Sequence, residues 1–220
     1  KIVELNLAIQ NFGNVSVREK DFFYIKPSGI NLDKLKISEF PKINIFSKKI
    51  FKNKYIPSTD TPTHKKLYSV FKEIGSIVHT HSPFATAWAQ ALQPIPCFGT
   101  THADFAISEI PVTRILKKNE IAKNYEINTA KVIIEIFKKN NLRPLDCPGV
   151  IVANHGPFAW GKNLNEAVKN SELIEYISKL AFYTKSLNSK IKPISNNLHK
   201  KHFFRKHGNN SYYGQKISDT

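Results

Sequence analysis

Apolar residues recur along the chain at two spacings, and their alternation predicts strands interleaved with helices. Phe22-Phe23-Tyr24-Ile25 is a short β-favouring run that ends at Lys26-Pro27-Ser28-Gly29, a loop signal. Thr61-Pro62 reads as an N-cap followed by a first-turn proline. Leu67, Val70, Phe71 and Ile74 then repeat at helical spacing up to Gly75. Ser76-Ile77-Val78 follows as a buried strand running into His79-Thr80-His81. Ala130, Ile133, Ile134 and Phe137 mark one face of a helix within about 119–139. Gly149–Ala153 is a second buried strand, ending at Asn154-His155-Gly156, and a long helix over about 163–187 carries the stripe Ile174, Ile177, Ala181. The tail 190–220 is basic, with Gly208 as a helix stop. This order predicts an α/β protein whose sheet is covered by helices. Strand order and direction stay open. With no repeat and no Gly/Ser linker, residues 1–220 read as one domain.

Composition narrows the class. With 41% hydrophobic and 11% aromatic residues the chain has ample material for a core. No apolar run approaches the ~18 residues of a membrane span, and Lys1–Asn6 lacks the apolar stretch of a secretory signal. Cys97 and Cys147 have no CxxC spacing, so two packed thiols in a reducing cytosol are expected. The 33 Lys+Arg against 17 Asp+Glu give a charge of +16, which raises nucleic acid as a partner. The distribution argues against it. Only Arg18, Arg114, Arg143 and Arg205 are arginine, the residue that reads bases and phosphates by its fork. The lysines are spread along the chain, and the expected partners include no nucleic acid and no membrane. A positive field does favour a small phosphorylated substrate.

The candidate chemistry lies at the strand ends. Residues i and i+2 of a strand share a face ~6.6 Å apart, so His79 and His81 can converge on one ion, and His155 from a second strand completes a three-imidazole set. Such a set leaves positions open for substrate, as catalytic sites do. Zinc suits it, with manganese and other divalent ions as alternatives. A lone HxH is weak, and its plain alternative is a pair of strand-end histidines satisfied by backbone. Gly13-Asn14, Ser28-Gly29 and Ser58-Thr59 combine hydroxyls, an amide and accessible N–H groups, as phosphate nests do, and Lys26 adds a charge. Each alone also reads as an ordinary turn. Asp60 doubles as a helix-terminal carboxylate, and Asp104 as a loop cap.

Taken in order, the blocks Gly13-Asn14-Val15-Ser16, Ile25–Gly29, Ser58–His64, Ile77–Ser82, Gly99–Asp104, Pro148–Gly161, Arg205–Gly208 and Tyr212–Gln215 resemble the L-ribulose-5-phosphate 4-epimerases of the class II aldolase/adducin superfamily. Asp60 marks the epimerase branch, since the aldolase branch has Glu there. The resemblance implies a cytoplasmic homotetramer of three-layer αβα subunits with a central, largely antiparallel sheet, holding Zn2+. It implies His79, His81 and His155 as ligands with Asp60 at the metal. Gly13, Asn14, Ser28, Gly29, Ser58 and Thr59 fall on the substrate and phosphate loops. Asp104 is then one proton donor/acceptor and Tyr213 the second, reaching an active site across a subunit boundary. His202 is a further polar tail residue near it. Two departures stand out. Thr59 replaces a usual Ser and keeps the hydroxyl, while Asn6–Phe12 reaches Gly13 sooner than in the family, which predicts loss of most of a strand leading into that loop.

The implied substrate is a pentulose phosphate whose C4 proton is not α to the carbonyl, so inversion by simple deprotonation is closed. Retro-aldol cleavage of C3–C4, rotation of the aldehyde and re-addition give D-xylulose 5-phosphate from L-ribulose 5-phosphate. Two rivals stay open: a class II aldolase that releases its aldehyde, and an adducin-like module that keeps the fold without the chemistry.

Overall fold

The computed structural model of the chain describes residues 2–47, 51, 53–208 and 211–214. Six strands form one sheet: β1 (Asn14–Glu19), β2 (Phe22–Ile25), β3 (Lys42–Asn44), β4 (Ser76–His79), β5 (Gly149–Val152) and β6 (Gly156–Gly161). Their spatial order is β3-β2-β1-β4-β6-β5, and every neighbouring pair is antiparallel. The helices are α1 (Thr61–Val70), α2 (Pro83–Gln90), α3 (Thr100–Ala103), α4 (Lys118–Ala122), α5 (Tyr125–Lys139), α6 (Leu164–Leu187) and α7 (Asn196–His207). The expected strands at 22–25, 76–78 and 149–153 and the long helix at 163–187 are all present.

Hairpin turns set the antiparallel register. Lys20 between β1 and β2, and Asn154 between β5 and β6, adopt the left-handed backbone that such short connections need. Every position of β4 is buried, because helices cover both faces of the sheet. Alternation along β4 divides the two layers. Val78 packs in a small cluster with Ile2, Leu7, Val15 and Ala167 of α6. Ile77 is paired instead with Trp160 of β6. The indole of Trp160 lies 5.6 Å from Phe71, just past α1, and 5.2 Å from Phe137 of α5. Truncating either ring to Ala costs about 3–5 kcal/mol. His79, two residues beyond Ile77, therefore looks into the layer that α1 and α5 form.

Two expectations about α1 are corrected. α1 stops at Val70, and Phe71 leaves the helix (φ −88°, ψ 84°) so that the chain turns and Gly75 N–H reaches the Gly161 carbonyl at 2.8 Å. At the other end Asp60, not Thr61, is the cap residue, yet its carboxylate makes no capping bond. The helix expected within 119–139 is α5, which buries Ala130, Ile133, Ile134 and Phe137, and the shorter α4 precedes it. Asn124 is left-handed (φ 58°), and the Asn128 side-chain amide donates to the carbonyls of Glu120 and Lys123, closing α4. Among the described residues no strand leads into Gly13. β1 starts at Asn14, after the loop, and Ile2–Phe12 forms turns whose Ile2, Leu7 and Ala8 pack on the sheet.

Candidate metal centre and substrate cleft

β4 delivers His79 at its last position, His81 follows in the extended segment before α2, and His155 enters from the β5–β6 turn. One nitrogen from each ring lies within 4.8 Å of the others, and the Nε2 atoms of His79 and His81 are 3.1 Å apart. Two nitrogens ~2.0–2.1 Å from a shared tetrahedral ion are ~3.3 Å apart, so the spacing matches joint ligation. The proton position is set from behind. His79 Nδ1 donates to the Pro157 carbonyl at 2.9 Å, which leaves the lone pair on Nε2, facing the other rings. Burial, reinforced by His155 and His81, holds the His79 pKa far below the ordinary histidine value. Burial also lowers His81 and His155. Each imidazole thus offers one ring nitrogen to a common point, where a cation would accept all three. Asp60 supplies an oxygen at the same place. Its Oδ2 is 3.9 Å from His79 Nε2 and is held by the Asn14 amide at 2.7 Å. The carboxylate that sequence alone assigns equally to a helix end is turned to the histidines. This N,N,N,O donor set fits a divalent cation.

Local backbone makes the approach feasible. Gly13 has φ 78°, and a Cβ there would sit 2.8 Å from the His79 carbonyl oxygen. At Gly156 a Cβ would meet the Thr80 carbonyl at 2.8 Å. Behind the metal residues, Ser16 Oγ is 2.7 Å from His64 Nδ1 and 2.8 Å from Tyr68 Oη, a buried network joining β1 to α1. Burial drives His64 down to about 3, so it too is neutral.

The histidines floor a cleft of about 270 Å³. Gly13, Asn14 and Asp60 line it with them, and Lys26, Ser28, Gly29, Ser58 and Thr59 add a polar wall. Backbone bonds stitch that wall together: Lys26 N–H to Val15, Ser58 N–H to Lys26 and Ser28 N–H to Ile56, at 3.0, 3.0 and 2.9 Å. Ser58 and Thr59 sit at the start of α1, the positive end of its dipole. Lys26 is only 2% exposed, and its ammonium donates to the carbonyls of Asn11 and Pro27 at 3.1 and 3.3 Å. Among the described residues no carboxylate is paired with it. Burial accordingly lowers its pKa. A buried, uncompensated cation beside a helix N-terminus is the arrangement an anion completes.

Four cleft residues escape sequence reasoning: Asn11, Phe12, Tyr125 and Glu126. Phe12 lies with its ring 5.9 Å from His81, and Tyr125 Oη is 3.4 Å from His155 Nδ1. Tyr125 and Glu126 arrive because the break at Asn124 starts α5 at the cleft, and no Gly or Pro marks that break in the sequence.

Asp104 and Tyr213 do not line this cleft. Asp104 closes α3, and its carboxylate accepts from Arg205 at 3.0 and 2.6 Å and from His202 Nδ1 at 3.0 Å, both on α7. The Arg205 and His202 partners hold Asp104 below the usual carboxylate range against its desolvation. Tyr213 lies on the same end, its ring 4.8 Å from the Arg205 guanidinium and 4.6 Å from Lys206 Nζ. Gln215, the last residue of the tail motif, is outside the described residues.

An antiparallel sheet between helical layers, with three histidines at the ends of its strands and a polar cleft beside them, defines the class. Residues 1–182 match the class II aldolase and adducin N-terminal domain, and the chain belongs to that family. It is 45% identical over 207 residues to the L-ribulose-5-phosphate 4-epimerase UlaF of Salmonella paratyphi B, covering 93% of this chain and 90% of that one, and equally to that of Salmonella typhi. Among solved structures, an L-fuculose 1-phosphate aldolase superposes with a TM-score of 0.74 at 24% identity over 91% of this chain and 89% of that one. YgbL from Escherichia coli does so at 0.71 and 21%, with 91% of each chain covered. These two establish the class II aldolase fold.

Proposed function

We propose that this chain is an L-ribulose-5-phosphate 4-epimerase, a single-domain isomerase of residues 1–220, cytoplasmic and homotetrameric, with one Zn2+ per subunit. The observation that carries the reading is the meeting of a metal-ligand set and a buried cation in one cleft. Three neutral imidazoles and Asp60 line the same cleft as the buried Lys26 ammonium, which among the described residues has no carboxylate partner. His79, His81, His155 and Asp60 hold the ion in this reading. When bound, the ion supplies Lewis acidity at the substrate's C2 carbonyl and C3 hydroxyl oxygens.

The chain's own groups do the rest. Lys26, Asn14, the hydroxyls of Ser28, Ser58 and Thr59, and the backbone at Gly13 and Gly29 bind the phosphate. A base removes the C4 hydroxyl proton, C3–C4 breaks, and a three-carbon enediolate and glycolaldehyde phosphate form. The phosphate grip keeps the aldehyde in place while its carbonyl turns over, so re-addition occurs on the opposite face. Inversion needs proton-transfer groups on two sides of that carbonyl, the parts given to Asp104 and Tyr213. Both lie away from their own chain's cleft, which supports their service to the cleft of a neighbouring subunit, with His202 beside them.

Asp60 and the Tyr213 tail favour epimerisation over release of the aldehyde. Conversion of L-ribulose 5-phosphate by purified, zinc-loaded protein tests the reading. D-xylulose 5-phosphate as the sole product supports it. Free dihydroxyacetone and glycolaldehyde phosphate in equal amounts turn it into an aldolase, and no turnover leaves only a binding module.

A further inference from the structure

We propose that Arg205 is a positioning residue for this reaction, fixing Asp104 and Tyr213 to one another as a single proton-transfer unit. The proposal rests on the roles given above to those two residues. Three different parts of Arg205 engage them at once. Its fork grips both oxygens of the Asp104 carboxylate, Nε to Oδ1 at 3.0 Å and Nη2 to Oδ2 at 2.6 Å. Its guanidinium plane lies 4.8 Å from the centre of the Tyr213 ring. Its carbonyl accepts the N–H groups of Tyr212 and Tyr213 at 3.0 and 3.2 Å, which ties the segment beyond α7 back onto the helix. Among the described residues no neighbour duplicates this. His202 reaches the carboxylate alone, His207 donates to the Asp104 backbone carbonyl, and Lys206 lies on the Tyr213 ring without a hydrogen bond to Asp104.

The chemistry selects arginine. A planar fork fixes both the position and the plane of a carboxylate, whereas a lysine ammonium supplies charge without orientation. Two groups that must exchange protons with one substrate oxygen site depend on such placement, since a misplacement of ~1 Å costs on the order of 10²-fold in rate. The guanidinium also favours ionised Asp104, together with the hydrogen bond from His202 and the charge of Lys206, both on α7. Asp104 therefore enters the cycle as a base.

The test compares the parent enzyme with Arg205→Met and Arg205→Lys in steady-state epimerisation, with zinc content and oligomeric state as controls. Arg205→Met is expected to lower kcat by about 10²-fold while KM, zinc and assembly hold. The acid limb of its kcat–pH profile moves to higher pH, because a carboxylate without its cation protonates sooner. Arg205→Lys, which keeps charge but not the fork, recovers only part of the rate and of the pH shift. Should Arg205→Met not fold, Arg205→Lys alone decides, by a reduced kcat at unchanged KM. Parent-like kcat in the folded variant, or a loss that follows the loss of assembly with an unmoved acid limb, overturns the proposal. An inactive parent overturns the epimerase reading itself and the assignment with it.

Discussion

Replacing Lys26 by Met removes the cation of the cleft while keeping its length and burial. With substrate bound, the Lys26 ammonium gains a charge-assisted hydrogen bond to the phosphate in place of two carbonyl contacts. Such a bond is worth about 1.5–3 kcal/mol net, and at ~1.36 kcal/mol per tenfold this is roughly ten- to 150-fold in kcat/KM. The phosphate charge does not change during C–C cleavage, so the loss falls on KM rather than kcat. Folding should not suffer. The pKa of Lys26 falls on burial, so below that pKa its charge opposes folding, and the variant's melting temperature stays level or rises. Initial-rate kinetics read the KM. Inhibition by inorganic phosphate gives the same factor without turnover. A looser grip also lets the aldehyde escape, so glycolaldehyde phosphate trapped per epimerisation event increases. KM and phosphate inhibition both within twofold of the parent, in folded protein, would refute the assignment of Lys26 to the phosphate.

Other consequences follow from the same geometry. His79→Ala removes the ligand whose proton is fixed by Pro157, and zinc affinity falls by more than the roughly 10–100-fold that outer partners cost, with activity lost; equilibrium dialysis with zinc reads it, and unaltered stoichiometry contradicts it. Asp104→Asn lowers kcat about 10²–10⁴-fold at near-normal zinc content, because Asp104 stands apart from the imidazoles; full activity refutes its role. The Arg114 fork holds Glu120 down to about 2, against an ordinary 4.5. Its contribution to stability is thus complete above 4.5 and is lost as pH falls through about 2. Urea titrations should show Glu120→Gln less stable than the parent at neutral pH, with the gap closing across that window; a gap independent of pH contradicts the pairing.

Much of this fold was legible because its signals are local. The strand Ser76–Val78 and the helix at 163–187 carry clear hydrophobic periods, and Asn163 caps the latter by accepting from Glu166 N–H. β1 was not legible. Asn14–Glu19 mixes an amide, a serine and charges because one face carries the buried Ser16–His64–Tyr68 network and the other meets Val78 and Ala167. The break at Asn124 was hidden because no Gly or Pro marks it anywhere in Lys118–Lys139. At the site, strand alternation placed His79 and His81 together, but only the β5–β6 turn shows how His155 joins them. Tyr125 and Glu126 have no motif of their own and enter the cleft through that same break. The resemblance supplied Asp104 and Tyr213, and the Arg205 clasp between them appears only where α7 folds back onto α3.

Metal content and edge absorption of the purified protein bear most directly on the account. One divalent ion per chain is predicted, with three imidazole nitrogens at ~2.0–2.1 Å and an oxygen completing the shell. Protein that folds and turns over substrate without bound metal, or metal whose spectrum lacks imidazole scattering, would contradict it.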